Sequence, residues 1–121
     1  INNIFYKNCL LQYNLNDNEI YQNINPRTFP YGYSIEIINA ETFKNNFNFF
    51  SGSDFEHITQ YFYRNKDSFK IYSLQNKTDF SNLQFTIDDQ KSYNIIASLF
   101  LKYPDINKYS LEKKIRLYCN E

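Results

Sequence analysis

Ser53-Asp54-Phe55-Glu56-His57-Ile58-Thr59-Gln60-Tyr61-Phe62-Tyr63-Arg64-Asn65 holds the chain's single histidine and its clearest helix-start signal. Ser53 followed three residues later by Glu56 has the form of a capping box. In that motif the serine oxygen accepts from a first-turn amide while the glutamate reaches back to the Ser53 N–H. The spacing predicts a helix starting at Ser53, with Phe55, Ile58, Thr59 and Phe62 on one face and Asp54, Gln60 and Arg64 elsewhere around the cylinder. By residue type, Glu56 reads first as a cap and His57 as a structural histidine, so a chemical role for either needs support from outside this stretch.

Working outward, Tyr33-Ser34-Ile35-Glu36-Ile37-Ile38 alternates as a strand, with Tyr33, Ile35 and Ile37 on one side and Ser34, Glu36 and Ile38 on the other. Were both faces covered, Glu36 would need a partner, because an ionised carboxylate is costly to bury alone. Asn39 is placed to cap a helix running to about Phe49, and Ser51-Gly52-Ser53 makes the turn into the next one. Upstream, Asn3 to Leu15 carries Ile4, Phe5, Leu11 and Leu15 near a period of 3.6, which predicts an amphipathic helix. Ile20 to Ile24 alternates as a short strand with one buried face. Asn25-Pro26-Arg27-Thr28-Phe29-Pro30-Tyr31-Gly32 gathers two prolines and a glycine into an ordered loop, in which Gly32 sits where φ is positive or a side chain would clash.

Downstream, Phe69 to Leu74 and Leu83 to Ile87 alternate as strands. The helix after Asp88 carries Tyr93, Ile96, Ala97, Phe100 and Leu101, and beyond Pro104 a last helix starts at Ser110 with Leu111, Ile115 and Leu117 apolar. Strands alternating with helices define an α/β layer structure.

At 121 residues the chain builds one core and is too short for two ordinary domains. Thirteen basic residues balance thirteen acidic ones, leaving no long-range field to favour nucleic acid or an acidic membrane surface. With 42% hydrophobic residues the chain has more buriable surface than a disordered segment, so it folds. No apolar run approaches the roughly 20 residues that span a bilayer, and no leader pattern opens the chain. Cys9 and Cys119 lack the spacing of a metal knuckle or redox pair and read as free thiols. The expectation is a soluble cytoplasmic protein. The lack of Met and the opening at Ile1 inside an apolar-periodic stretch predict a piece of a longer chain.

The sequence has no glycine-rich phosphate loop, no Cys/His metal cluster and no serine elbow. The remaining candidates are Arg27, Glu36, Glu56, His57, Arg64 and Asp88. An aspartate at a strand-to-helix junction can hold Mg²⁺ with phosphate oxygens on its far side. The same aspartate can equally serve as a helix N-cap.

Three segments taken together resemble one family. Pro26-Arg27-Thr28-Phe29-Pro30-Tyr31-Gly32-Tyr33-Ser34-Ile35-Glu36-Ile37 resembles the R-x-F-P-x-G-L-D-V-E-V segment of the cytidylyltransferase family that includes acylneuraminate and Kdo cytidylyltransferases, in its branch like the spore coat polysaccharide biosynthesis protein SpsF. Phe55-Glu56-His57-Ile58-Thr59-Gln60-Tyr61-Phe62-Tyr63 is similar to that branch's R-E-H-V-T-P-Y-I-Y. Leu83-Gln84-Phe85-Thr86-Ile87-Asp88-Asp89-Gln90-Lys91-Ser92-Tyr93 is similar to its L-R-W-T-V-D-T-P-E-D-Y. Order and spacing agree, and the three segments extend over nearly the whole chain.

The resemblance implies residues 1–121 as the C-terminal, sugar-side part of a Rossmann-like α/β/α nucleotidyltransferase, a fold of the nucleotide-diphospho-sugar transferase type. The family's N-terminal nucleotide-binding loop is missing from these residues. The implied reaction transfers CMP from CTP to a sugar or sugar acid, with release of pyrophosphate, for surface polysaccharide synthesis. Asp88 matches the family's Mg²⁺ ligand, and Glu56-His57 matches the segment beside the acceptor, so that either could orient the acceptor or take its proton. Arg27 or Arg64 would meet a sugar carboxylate by a forked contact, and Glu36 would complete the substrate site. Ser34, Phe55, Gln60, Gln84 and Gln90-Lys91 depart from the pattern, at the usual acceptor contacts above all. Those departures leave a second reading, a degenerate non-catalytic module whose aromatic-rich surface serves interaction or homodimerisation.

Overall fold

The computed structural model describes residues 3–120, so Ile1, on which the reading of a longer chain partly rests, lies outside the described residues. Eight elements follow in order: α1 (Asn3–Leu15), β1 (Ile20–Gln22), β2 (Glu36–Ile38), α2 (Ala40–Asn46), α3 (Gln60–Arg64), β3 (Ile71–Ser73), α4 (Gln90–Lys102) and α5 (Leu111–Cys119). The strands form one sheet in the order β2-β1-β3, with β2 antiparallel and β3 parallel to the central β1. The class is mixed α/β, as the alternation of strands and helices predicted. No helix among the described residues is long and apolar enough to cross a membrane, and Cys9 and Cys119 are both free thiols.

Because β1 is central, it is buried on both faces and not on one as expected. Ile20 and Tyr21 are covered, and so are Gln22 and Asn23, two polar side chains on opposite faces of the strand, where one buried face was expected. Ile20 packs with Phe50 and Phe62 at the heart of the molecule, ringed by Ile38, Phe43, Tyr61, Tyr63, Phe69 and Ile71. Phe62 meets Phe43, Phe50, Tyr61 and Phe69 ring to ring, mostly edge to face, the arrangement that ring quadrupoles favour. Burying a side chain of this size contributes about 1.5–3 kcal/mol, which makes Phe62 the main apolar anchor of α3.

The helix expected from Ser53 is displaced. A capping box does form, but from Ser51 and Asp54, with the Ser51 N–H donating to Asp54 Oδ2 at 3.0 Å. It heads a single 3₁₀ turn, Gly52–Phe55, and α3 begins only at Gln60. The cause lies two residues upstream of the expected start: Ser51 is extended and Gly52 adopts a positive φ of 54°, so the turn closes early. Phe55 and Ile58, assigned to the buried face, are 58% and 46% exposed, and Asp54, assigned to the outside, is buried. The polar side chain wins the interior because it arrives with its partners.

Other boundaries shift for related reasons. Asn39 caps α2 as expected, its Oδ1 accepting from the amides of Glu41 and Thr42 at 3.0 and 3.1 Å, but α2 stops at Asn46 and continues as a 3₁₀ turn, Phe47–Phe49. Ser110 caps α5. Helix α1 has the expected span, yet Ile4, Leu11 and Leu15 point outward while Cys9 is buried and Phe5 packs on Phe29 and Tyr33. Leu83 to Ile87 forms no strand and makes only a single parallel bridge, Tyr31 with Gln84.

That bridge explains Gly32. Its φ is 101°, and a Cβ there would lie 3.0 Å from the Phe85 carbonyl oxygen, so both reasons expected for a glycine apply. Gly32→Ala is expected to destabilise the fold by about 1–3 kcal/mol. Chemical denaturation of the variant beside the wild type checks this, and equal midpoints would show that the loop relaxes without cost.

Candidate functional site

The loop that carries Arg27 is shaped by the two buried amides at the end of β1. Gln22 Oε1 accepts from the amides of Ile24 and Asn25, both at 2.7 Å, while its Nε2 donates to the Asn25 carbonyl at 2.7 Å and to Ser73 Oγ on β3 at 2.8 Å. Asn23 donates to the Tyr33 carbonyl at 2.6 Å and accepts from the Ile35 amide at 2.8 Å. Both side chains take the hydrogen bonds of a backbone that has left the sheet, which is how a buried amide becomes favourable. Across the loop, the Asn76 amide donates to Thr28 Oγ1 at 2.8 Å.

Arg27 emerges from this loop with its guanidinium 4.2 Å above the Tyr31 ring and one nitrogen donating to Ser34 Oγ at 2.9 Å. Ser34 stands where the resembling segment has an aspartate, so the contact with Arg27 is neutral and leaves the cation unpaired by a carboxylate there. Two residues further along the same side, Glu36 accepts a hydrogen bond from the Tyr63 hydroxyl of α3. Glu36 is solvent-exposed although Ile38, on the same face, packs into the core, and it has the polar partner that a covered carboxylate would need. Burial first, and then the Glu36 carboxylate, push the Tyr63 phenol above its ordinary value, so Tyr63 keeps its proton and remains the donor.

Asp88 lies at the other end of the loop's backbone pairing. Tyr31 and the 83–85 segment exchange hydrogen bonds, from the Tyr31 amide to the Leu83 carbonyl at 2.9 Å and from the Phe85 amide to the Tyr31 carbonyl at 2.7 Å. This holds Gln84 and Thr86 in place, and both donate to Asp88 Oδ2, at 2.6 and 2.7 Å. The cap of α4 is the next residue. Asp89 Oδ1 accepts from the Ser92 amide at 2.7 Å, and Ser92 Oγ accepts from the amides of Asp88 and Asp89, both at 3.1 Å. The capping reading of Asp88 is therefore corrected to Asp89, and the exposed Asp88 carboxylate has no capping duty. Its Oδ1 receives no hydrogen bond from the described residues.

Glu56 and His57 sit in the exposed turn between Gly52–Phe55 and α3. Their backbones are engaged, with the His57 amide donating to the Ser53 carbonyl and the Gln60 amide to the His57 carbonyl, both at 2.9 Å. Neither side chain makes a hydrogen bond among the described residues, and Glu56 is not the cap it was read as. Arg64 is committed inward. Its two terminal nitrogens grip both oxygens of Asp54 at 3.1 and 3.0 Å, and Gln60 adds a bond to Asp54 Oδ1 at 2.9 Å.

The structure thus brings Arg27, Ser34, Glu36 and Tyr63 along one surface and joins them through Tyr31 and Gln84 to Asp88, while Arg64 serves Asp54. Tyr63 and Asp54 were not singled out from the sequence. Tyr63 does fall one turn beyond Thr59, on the stretch bearing Glu56 and His57, and that spacing was the available signal. No group of three or more His, Cys, Asp or Glu side chains among the described residues is gathered tightly enough to hold a metal by itself.

No family model matches this sequence, and no curated protein matches it. Among solved structures, the fold is similar to that of a cytidylyltransferase from Leptospira borgpetersenii serovar Hardjo-bovis (strain JB197), with a TM-score of 0.88 at 22% sequence identity. The likeness takes in 97% of this chain and 50% of that one, so this chain spans about half the length of the structure it matches. The chain shares the fold of about half of that structure.

Proposed function

We propose that this chain is the acceptor-side part of a CTP-dependent cytidylyltransferase, a cytoplasmic enzyme that joins CMP to a sugar or sugar acid for surface glycan synthesis. The observation that carries the reading is the match of nearly the whole chain to half of a solved cytidylyltransferase, and the three sequence segments support it. In this reading Arg27, held on Tyr31, meets the acceptor's carboxylate, and Glu36, held by Tyr63, accepts from an acceptor hydroxyl. As the acceptor oxygen bonds to the α-phosphorus and the bond to pyrophosphate breaks, the hydroxyl proton passes to His57 or Glu56.

Asp88 fits a Mg²⁺ ligand by its donor chemistry: it is an exposed carboxylate, oriented through one oxygen by Gln84 and Thr86, with the other oxygen open. Mg²⁺ is ordinarily held by one or two carboxylates together with waters and substrate phosphates, so a single aspartate is sufficient protein ligation. When bound, the ion supplies charge stabilisation to the phosphates. Arg64 acts indirectly here, fixing the turn that presents Glu56 and His57.

The test is pyrophosphate release from CTP by the product of the full-length gene, with a panel of sugars and sugar acids, beside the same assay on residues 1–121. Turnover is expected only from the longer protein, and turnover by residues 1–121 alone would overturn the assignment to the acceptor side. A second reading, a non-catalytic interaction or dimerisation module, is favoured by the exposed apolar side chains Phe47, Phe49, Phe55 and Ile58. A gene product that binds no CTP and forms dimers disrupted by Phe49→Asp would establish it in place of the enzyme.

A further inference from the structure

Between α4, α5 and the 85–87 segment lies a cavity of about 290 Å³, partly open to solvent, that none of Arg27, Glu36, His57 or Asp88 lines. Most of its lining is apolar, from Phe85, Ile87, Ile96, Leu99, Phe100 and Ile106, with Tyr6, Tyr33 and Asn107 beside them, and the single charged group is Lys114 of α5. The Lys114 ammonium donates to the Tyr33 hydroxyl at 2.8 Å and stands 5.4 Å from the centre of that ring. No carboxylate among the described residues pairs with it. An ammonium carries three donors and no acceptor, so two of its N–H groups remain for a ligand.

We propose that this cavity binds a small amphipathic carboxylate, with an aromatic or branched apolar body against Leu99, Phe100 and Ile106 and its anionic head on Lys114. An apolar cavity of about 150 Å³ accommodates benzene, so this one accepts a body of roughly twice that volume. Because apolar side chains make up most of the lining, an apolar body fits it better than a polyhydroxylated sugar, which separates this ligand class from the acceptor of the proposed reaction. Burial pushes the Lys114 ammonium below its ordinary value, and an arriving carboxylate would oppose that shift by supplying a counter-charge.

Calorimetric titration of the chain with 3-phenylpropionate, 3-phenylpropanol and propionate tests the proposal. The first is expected to bind at least tenfold more tightly than either of the others, because the alcohol lacks the charge and propionate lacks the body. Lys114→Met, which keeps most of the apolar stem, is expected to abolish the preference for acid over alcohol. If that variant fails to fold, methyl NMR of the wild type decides instead, with shifts induced by 3-phenylpropionate expected at Ile96, Leu99 and Ile106. Absence of binding, equal affinity for acid and alcohol, or shifts confined to residues outside the cavity would each overturn the assignment.

Discussion

Asp88→Asn in the full-length protein is expected to lower pyrophosphate release from CTP by two orders of magnitude or more at limiting Mg²⁺, with the melting temperature moved by less than about 2 °C. The near-neutral stability follows from the local geometry. Asp89 caps α4 and accepts the Ser92 amide, so removing the Asp88 charge unmakes no cap. An asparagine at position 88 still presents an oxygen to Gln84 and Thr86. What it lacks is the anionic oxygen that a hard divalent cation prefers. Partial rescue at high Mg²⁺ would strengthen the ligand assignment, whereas unchanged turnover across the whole Mg²⁺ series would remove Asp88 from the site.

The largest effect on stability is expected at the Asp54–Arg64 pair. Asp54 is 1% exposed and accepts from Arg64, Gln60 and the Ser51 amide, so Arg64→Met strands a buried carboxylate with only two donors. Breaking such a pair from one side costs more than removing both partners, because the remaining charge is left uncompensated. A fall in melting temperature of about 5–10 °C at pH 7 is expected, with partial recovery in Asp54→Asn/Arg64→Met. The Arg64 fork, then Gln60 and the Ser51 amide, hold the Asp54 carboxyl well below the usual carboxylate range. Its contribution is therefore complete above the unfolded value, near pH 4, and is lost as pH falls further toward the folded one. The gap between wild type and Arg64→Met should accordingly narrow in melts run from pH 5 toward pH 2. A gap that is constant with pH, or absent at pH 7, would show that Arg64 is not what stabilises Asp54.

The same pair explains how part of the candidate site escaped the sequence. Arg64 looks like a free cation beside a histidine when read along the chain, and a forked contact with a sugar carboxylate is a reasonable use for it. In the fold its fork is filled by Asp54, ten residues earlier. Glu36 shows the converse. Its need for a polar partner was legible, but the partner, Tyr63, lies 27 residues away on α3 and could not be chosen from alternation alone. His57, Glu56 and Arg27 are exposed or half-exposed where the sequence left them open to chemistry.

Several local features were determined by the sequence itself. Asn39 and Ser110 cap their helices, and Gly32 takes the positive φ read for it. Each follows from a local hydrogen bond or a single dihedral, and either is complete within one turn. Only the tertiary structure decided which faces are buried, because burial is a property of what lies opposite. Ile4 and Leu15 keep their helical spacing and still face outward, and Leu83 to Ile87 keeps its alternation but has one bridge where a strand needs a ladder. Gln22 and Asn23 went inside because β1 became the middle strand and the loop beyond it supplied their hydrogen bonds. Lys114 and Tyr33 meet across 81 residues, a distance over which side-chain periodicity carries no information about contact.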